Sequence, residues 1–193
     1  MDRTKFIELL NNDSVQLEDR EKLLNAILIN PHWIAILLKN MNAIHDKQSY
    51  FSARTLELAS KRNLKLMLLY LDTFCLLLPK IKLEGVIRSS AKIIELLTVN
   101  FFKGKDAIYI EKINTKHLEQ FTESCFDWMI SGKSIAIQAH SMYALYLLGT
   151  KYDWIHSELA LIIEKDIPTG STGYKNRGRK VLKAIETKTR LKL

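Results

Sequence analysis

Apolar residues recur at intervals of three and four along almost the whole chain, and strand-like alternation of apolar and polar positions is nearly absent. This spacing places the apolar side chains on one side of a helix, so the pattern predicts helices throughout. Pro31 follows Asn30 and precedes a new apolar run, which predicts a helix break at residue 30 because proline suits the first turn of a helix. Further helices are predicted at residues 48–61, 64–78, 84–99, 115–131, 134–148, 152–165 and 173–188.

The composition also favours helices. Only seven glycines and three prolines interrupt 193 residues, while leucine, isoleucine, lysine, glutamate and alanine dominate. Apolar residues make up 47% of the chain and charged residues 26%, which is enough apolar material for one core. We therefore predict an all-α protein with a single domain over residues 1–193.

Three segments of the chain can be superimposed as an internal repeat, namely residues 86–97, 136–147 and 173–184. Each begins with an apolar and polar pair, and a small residue follows three positions later, where a second helix could approach closely. A weaker copy begins at residue 51. The period is about 36 residues, with one insertion of about 13 that predicts a loop near residues 100–113. The small residues are Thr55, Ala91, Ser141 and Gly178.

The sequence at residues 76–79, followed by that at residues 86–91, resembles the two-helix unit of HEAT-like (armadillo-type) repeats, and residues 129–149 are similar. The resemblance covers residues 31–188. It implies an α-α superhelix, a HEAT-like solenoid of about ten antiparallel helices, whose second helices line a concave face. A more distant similarity links the chain to DNA-alkylation-repeat proteins. Gln138 stands where the repeat family usually has arginine.

Positive charge is concentrated at one end of the chain. The net charge is +8, and the segment from Gly170 onward holds eight basic residues against the single acid Glu186, which leaves the first 169 residues close to neutral. An anionic partner is therefore expected near this end. The basic residues are Lys175, Arg177, Arg179, Lys180, Lys183, Lys188, Arg190 and Lys192.

The resemblance places polar residues of the second helices along one groove, and these, with Arg177 of the basic segment, are the candidate residues for binding an anion or a partner. The alternative is that these long side chains are solvated or pair with neighbouring acids, which stabilises a fold by a fraction of a kcal/mol. The candidates are Arg54, Arg88, Lys92, Gln138, His140, Lys175, Arg177 and Arg179.

The segment 168–175 places glycines and hydroxyl groups before the basic helix. Such a helix start can hold a phosphate or carboxylate, but capping by Ser171 or Thr172 is the favoured interpretation because the spacing differs from that of a phosphate loop. Among the aromatic residues, Tyr174 is the one predicted to lie exposed beside cations. The others are expected in the core.

No catalytic motif is present, and we predict neither a metal site nor a cofactor, although enzymatic activity stays open. Residues 66–79 form the most apolar stretch, which at 14 residues is shorter than the roughly 20 needed to cross a bilayer. The first ten residues lack the form of a secretory signal, so a cytoplasmic location is expected. Cys75 and Cys125 are predicted to be small buried hydrophobes.

Two functions are compatible with these features. The first is a non-enzymatic binding or scaffold module whose groove and basic C-terminal helix contact a protein or another anionic partner. The second is a nucleic-acid-binding protein in which a basic face follows the phosphate backbone of DNA. The near neutrality of the first 169 residues favours the first, because a solenoid that wraps DNA should be basic along most of its groove.

Overall fold

The computed structural model describes residues 1–11, 17–42 and 47–190. Within these ranges the chain forms eleven α-helices, three short 3₁₀ helices and no strand, so the all-α prediction is confirmed. None of the described helices is long and apolar enough to cross a membrane. The residues group into two compact units, Met1–Ile93 and Ile94–Leu193.

Unit 1 is built on pairs of packed helices. Helices α2 and α3 both pack against α4, and α3 also contacts α5. The Phe6 ring lies 4.7 Å from the Trp33 ring, and Phe74 is fully buried. The helices are α1 (Arg3–Leu10), α2 (Leu17–Ile29), α3 (Ile34–Met41), α4 (Lys47–Arg62) and α5 (Leu71–Leu77), followed by the first part of α6 (Glu84–Lys103).

Unit 2 is arranged around one central helix, α9, which packs against α8, α10 and α11. Helices α8 and α9 are joined by residues 131–134, a turn that uses Gly132 at a φ of 64° and is short enough to make the pair antiparallel. The helices are the end of α6, then α7 (Ile108–Lys112), α8 (Thr115–Ile130), α9 (Ile135–Leu148), α10 (Asp153–Asp166) and α11 (Thr172–Arg190).

The predicted helix over residues 64–78 is wrong in one respect. The segment is divided into a 3₁₀ helix at Leu64–Leu69, α5, and a second 3₁₀ helix at Leu78–Lys80. The break falls at Tyr70, whose hydroxyl donates to the carbonyl oxygen of Pro31 over 3.2 Å. This contact spans 39 residues of sequence, so no local pattern predicts it.

The predicted insertion loop at residues 100–113 is largely helical. Residues 100–103 complete α6, and Ile108–Lys112 form α7. Asn100 sustains the last turn of α6, since its side-chain amide donates to the carbonyl oxygen of Leu96 over 2.9 Å. The helix ends at Lys103, which therefore lies on a helix and not on a loop.

The small residues that the repeat superposition aligned, Thr55, Ala91, Ser141 and Gly178, are all buried. At Gly178 the approach of another helix is close, because a Cβ atom there would lie 2.8 Å from Cγ2 of Ile163 on α10. The prediction of a close helix approach is thus confirmed at Gly178.

Candidate functional site

The candidate site lies in unit 2, on the one side of α9 that is not fully covered. Most of α9 is apolar and buried, but beyond its first residue, Ile135, and Gln138 a further five residues at helical intervals are at least partly exposed. Their spacing places them in one stripe along the helix. The stripe contains Ala136, Ala139, His140, Tyr143 and Tyr146.

Two cations from different helices meet at Tyr143. Lys103, in the last turn of α6, donates to the Tyr143 hydroxyl over 3.1 Å, and its Nζ lies 5.3 Å from the centre of that ring. The guanidinium carbon of Arg177, on α11, lies 5.0 Å from the same ring centre. Both distances are within the range at which the electron-rich face of an aromatic ring attracts a cation.

Tyr146 extends this arrangement along α9. Its ring lies 6.1 Å from the Tyr143 ring at an angle of 16°, and Lys103 Nζ is 5.7 Å from its centre. We call Lys103, Tyr143, Tyr146 and Arg177 the Tyr143 cluster. Lys103 is exposed and the other three are half-buried, so a partner can reach all four side chains.

The back of the cluster is fixed by α10. The His156 ring stacks on Tyr146 at 5.6 Å between centres, and its Nε2 donates to the Tyr146 carbonyl oxygen over 2.8 Å. Gly149 leaves room for this ring, since a Cβ atom at residue 149 would overlap it. The buried His156 side chain therefore fixes the position of Tyr146.

An acid lies one helical turn from the cluster. Nδ1 of His140 contacts Oε2 of Glu95, a carboxylate that is 8% exposed, and this pair joins α9 to α6. His140, which was predicted to face the groove, thus has a protein partner. Through this contact the buried carboxylate of Glu95 lies beside the partly exposed His140, one turn of α9 from Tyr143.

The three candidates of the basic helix do not lie together. Successive residues of a helix are about 100° apart, so Lys175 and Arg179 share one side of α11 while Arg177 points to another. Arg177 reaches α9, whereas the side of α11 next to Gly178 contacts Ile163 of α10. The structure therefore divides the predicted group into Arg177, in the cluster, and two residues outside it. Lys188, Arg190 and Lys192 belong to the part of the basic segment whose side chains lie outside the described residues.

Gln138 serves the packing of two helices. Its side-chain amide donates to the carbonyl oxygen of Met129, near the end of α8, over 3.4 Å. Carbonyl groups in the last turn of a helix lack helical partners, and this bond satisfies one of them. Gln138 thus contacts α8, and its role in binding a partner stays a prediction.

The candidates in unit 1 also differ in whether they already have a partner within the protein. Arg54 Nη1 lies 2.7 Å from Oε1 of Glu57, a carboxylate that is 3% exposed and that also bonds Lys61 and Ser89. Burial raises the pKa of Glu57, but the hydrogen bonds from Lys61, Arg54 and Ser89 outweigh it and lower the pKa below its ordinary value of 4.5. Arg54 is therefore paired with a buried carboxylate.

Arg88 and Lys92 follow one another by one turn on α6. Arg88 is exposed and Lys92 is half-buried, with an interaction of its own within the protein. The spacing of four residues puts both on the same side of the helix. They remain candidates for contact with an anion.

Tyr174, predicted as the exposed aromatic residue beside cations, is 3% exposed. Its hydroxyl donates to Oδ2 of Asp166 over 3.3 Å, and burial together with this acid raises the pKa of Tyr174. The prediction is wrong because the side chain fills the contact between α10 and α11. The preceding loop caps the helix as predicted: the backbone N–H of Tyr174 donates to Ser171 Oγ over 3.2 Å.

Sequence reasoning missed Lys103 and assigned Tyr143 and Tyr146 to the core. The available signal was their spacing, because His140, Tyr143 and Tyr146 recur every three residues on a helix that is otherwise apolar. A row of side chains that carry a hydroxyl or an imidazole group on an apolar helix indicates a helix face that water or a partner can reach. Lys103 gave no comparable signal, since it lay in a segment predicted to be a loop.

No group of three or more histidine, cysteine, aspartate or glutamate side chains in the described ranges could hold a metal ion. Comparison with known proteins gives no further guidance, because no family model, no curated protein and no solved structure matches the chain.

Proposed function

We propose that this protein is a non-enzymatic binding module with HEAT-like helix pairs, and that the Tyr143 cluster binds an acidic segment of a partner protein. The observation that carries the proposal is the meeting of Lys103 and Arg177 at Tyr143. Among the described residues neither cation forms an ion pair with a carboxylate, so both can bind an incoming acid.

The chemistry of the cluster suits carboxylates beside apolar groups. A guanidinium binds a carboxylate through two parallel hydrogen bonds, and a lysine adds a second positive charge. The partly exposed rings of Tyr143 and Tyr146 offer apolar surface to the neighbouring side chains of a bound peptide. An acidic peptide with aromatic or aliphatic residues uses both features.

A protein partner is favoured over nucleic acid because the cluster is local. Binding along a phosphate backbone requires cations in series, and each phosphate contact adds to the salt dependence of the affinity. Here Glu95 places a carboxylate next to the cluster, and Arg54 is committed to Glu57. The positive surface around Tyr143 fits one or two acidic groups.

DNA or RNA binding is the second candidate, supported by the basic helix itself. Helix α11 carries five cations between residues 175 and 183, of which Arg179, Lys180 and Lys183 are exposed. A row of this kind can follow a phosphate backbone. This candidate predicts that affinity depends on the whole helix rather than on the Tyr143 cluster.

Neither cysteine supports thiol chemistry. Both Cys75 and Cys125 are buried and free, and burial raises the pKa of each thiol to about 12. The nucleophilic form of cysteine is the thiolate, which is scarce at neutral pH with such a pKa. The thiols are therefore assigned to the core.

The two candidates are separated by a fluorescence-anisotropy titration with a labelled acidic, tyrosine-containing peptide and with duplex DNA, single-stranded DNA and RNA, each at two salt concentrations. The test variant is Lys103→Ala/Arg177→Ala. Its matched control is Lys175→Ala/Arg179→Ala, which removes the same charge from another side of α11. Circular dichroism establishes that both variants are folded.

We expect the peptide to bind, and the cluster variant to weaken binding by about tenfold or more while the control stays near the parent protein, because each lost charge-assisted contact is worth roughly 1.5 kcal/mol. Equal weakening by both variants, with tighter binding of a nucleic acid, would overturn the peptide proposal in favour of the second candidate. Absence of binding by every probe at low salt would overturn both.

A further inference from the structure

A second surface of unit 2, apart from the Tyr143 cluster, has the opposite charge. Helix α8 and the start of α10 enclose an open pocket of about 610 Å³. Three acids of α8 line it at intervals of four residues, which places them in one row. The row consists of Glu119, Glu123 and Asp127.

Aromatic side chains from α8 and the start of α10 also line the pocket. The Phe126 and Trp154 rings stack at 5.8 Å between centres and an angle of 21°. Trp154 is 56% exposed, an unusual state for so large an apolar side chain in a folded protein. Tyr152 also lines the pocket, and its buried hydroxyl has no hydrogen-bond partner within the part of the chain that the structure describes.

The charges of these three acids are not balanced by ion pairs with other described residues. In the described ranges none of the three carboxylates forms an ion pair with a lysine or arginine, and Glu123 accepts one hydrogen bond, from the Gln120 amide over 3.4 Å. Like charges at intervals of four on a helix repel one another. A bound cation would relieve this repulsion, whereas an anion or a neutral ligand would not.

We propose that this pocket binds an organic cation carrying ammonium or guanidinium groups. The aromatic side chains attract a cation to the face of Trp154, the ring type that binds cations best, while the row of carboxylates accepts its N–H groups. The Tyr152 hydroxyl offers one further acceptor.

The aromatic side chains distinguish this ligand from a metal ion. A hydrated divalent cation needs several oxygen ligands close together, and rings contribute none. An organic cation gains from the rings and the acids at once, and the pocket volume exceeds that of a single guanidinium group. Two sources supply this chemistry, namely a free polyamine and an arginine or lysine side chain of a peptide.

The test is quenching of tryptophan fluorescence, supported by calorimetric titration. Trp33 and Trp128 are buried, so the exposed Trp154 reports on the pocket. The probes are spermidine for the free polyamine, N-acetylarginine amide for the peptide side chain, and the neutral isostere N-acetylcitrulline amide as a control.

Two variants test the pocket. Glu123→Gln/Asp127→Asn keeps the shape of the side chains and removes two charges. Trp154→Ala removes the ring and the fluorescence signal, so its binding is measured by calorimetry. The matched control is Glu158→Gln/Glu164→Gln, which removes two charges from exposed residues of α10 that do not line the pocket. Thermal denaturation establishes that each variant is folded.

We expect spermidine, the arginine amide or both to bind, with about tenfold weaker binding in each pocket variant and unchanged binding in the control. The probe that binds identifies the source of the cation. Equal binding of the citrulline compound, equal weakening in the control variant, or no binding by either cation would overturn the proposal. The Lys103→Ala/Arg177→Ala variant should bind the cation normally, which keeps this test separate from that of the acidic peptide.

Discussion

Ser89 of α6 donates a hydrogen bond of 3.0 Å to Oε2 of Glu57 on α4, while Arg54 and Lys61 hold the other carboxylate oxygen at 2.7 and 2.6 Å. A carboxylate that is 3% exposed would be costly to bury as an ion without such partners. The three donors satisfy its charge and join two helices of unit 1. Glu57 is therefore a structural centre of that unit, and its protonation should be visible in stability.

Replacing Glu57 with glutamine should destabilise unit 1 by about 2 kcal/mol at pH 7, because Arg54, Lys61 and Ser89 all lose the charge of the buried carboxylate that they bond. The measurement is urea denaturation followed by circular dichroism. The exposed acid Glu8 provides the control, since Glu8→Gln should change the free energy of unfolding by less than about 0.5 kcal/mol. Equal effects of the two substitutions would contradict the assigned role.

Comparison of the parent protein with the Glu57→Gln variant also tests how stability depends on pH. The folded protein lowers the pKa of Glu57 below its ordinary value of 4.5, so the unfolded chain binds the proton more readily. The stabilisation is fully present above pH 4.5 and is lost as pH falls through the folded pKa. The difference in unfolding free energy between the parent and Glu57→Gln should therefore shrink on acidification below that pH. A difference that stays constant down to pH 3 would contradict this.

Gly149→Ala should destabilise unit 2 by about 2 kcal/mol, since the new methyl group overlaps the buried His156 ring. The cause can be isolated with His156→Ala, which removes the ring. We expect Gly149→Ala to cost far less in that background, a difference that a double-mutant cycle of unfolding free energies measures. Equal costs in both backgrounds would show that the helix end, and not the ring, disfavours alanine.

The helices of unit 2 were predictable because local signals agree there. The break before α9 contains the Gly132 turn, α11 begins directly after its cap Ser171, and the apolar spacing continues between these points. Residues 64–78 could not be predicted as well, since the Tyr70 hydroxyl binds a carbonyl group 39 residues away. Periodicity reports which side of a helix is apolar but not where a distant partner interrupts it.

The candidate site was predicted less well than the fold, for a physical reason. Charge counting identified α11, but it could not say that Arg177 points to α9 while Lys175 does not, because this depends on how α11 is rotated against its neighbours. Tyr143 belongs to an apolar helix and Tyr174 to a basic one, yet Tyr143 is half-buried and Tyr174 is buried. The identity of a binding surface therefore depended on helix packing.

The two contacts of Tyr143 can be separated by substitution. Tyr143→Phe removes the hydroxyl that Lys103 bonds and keeps the ring beneath Arg177, whereas Tyr143→Ala removes both. We expect a coupling energy of about 0.5–1 kcal/mol between Tyr143→Ala and Arg177→Ala in a double-mutant cycle of unfolding free energies. The coupling between residue 143 and Lys103 should fall without vanishing when Tyr143→Phe is the starting point, because the hydrogen bond is lost while the contact of the cation with the ring stays. A coupling near zero between the ring and Arg177 would mean that the guanidinium is already solvated in the free protein.

The buried thiols give a chemical measure of folding. Burial raises the pKa of Cys125 and of Cys75 from 9.0 to about 12, and neither sulfur is freely reached by solvent. At pH 8 the native protein should therefore react very slowly with a thiol-specific disulfide reagent, while the protein in urea should react rapidly at both cysteines because thiolate and access are restored together. Cys75 lies in unit 1 and Cys125 in unit 2, so single Cys→Ala variants report on each unit separately. If the two thiols become reactive at different urea concentrations, the units unfold independently; rapid reaction of either thiol without urea would contradict its burial.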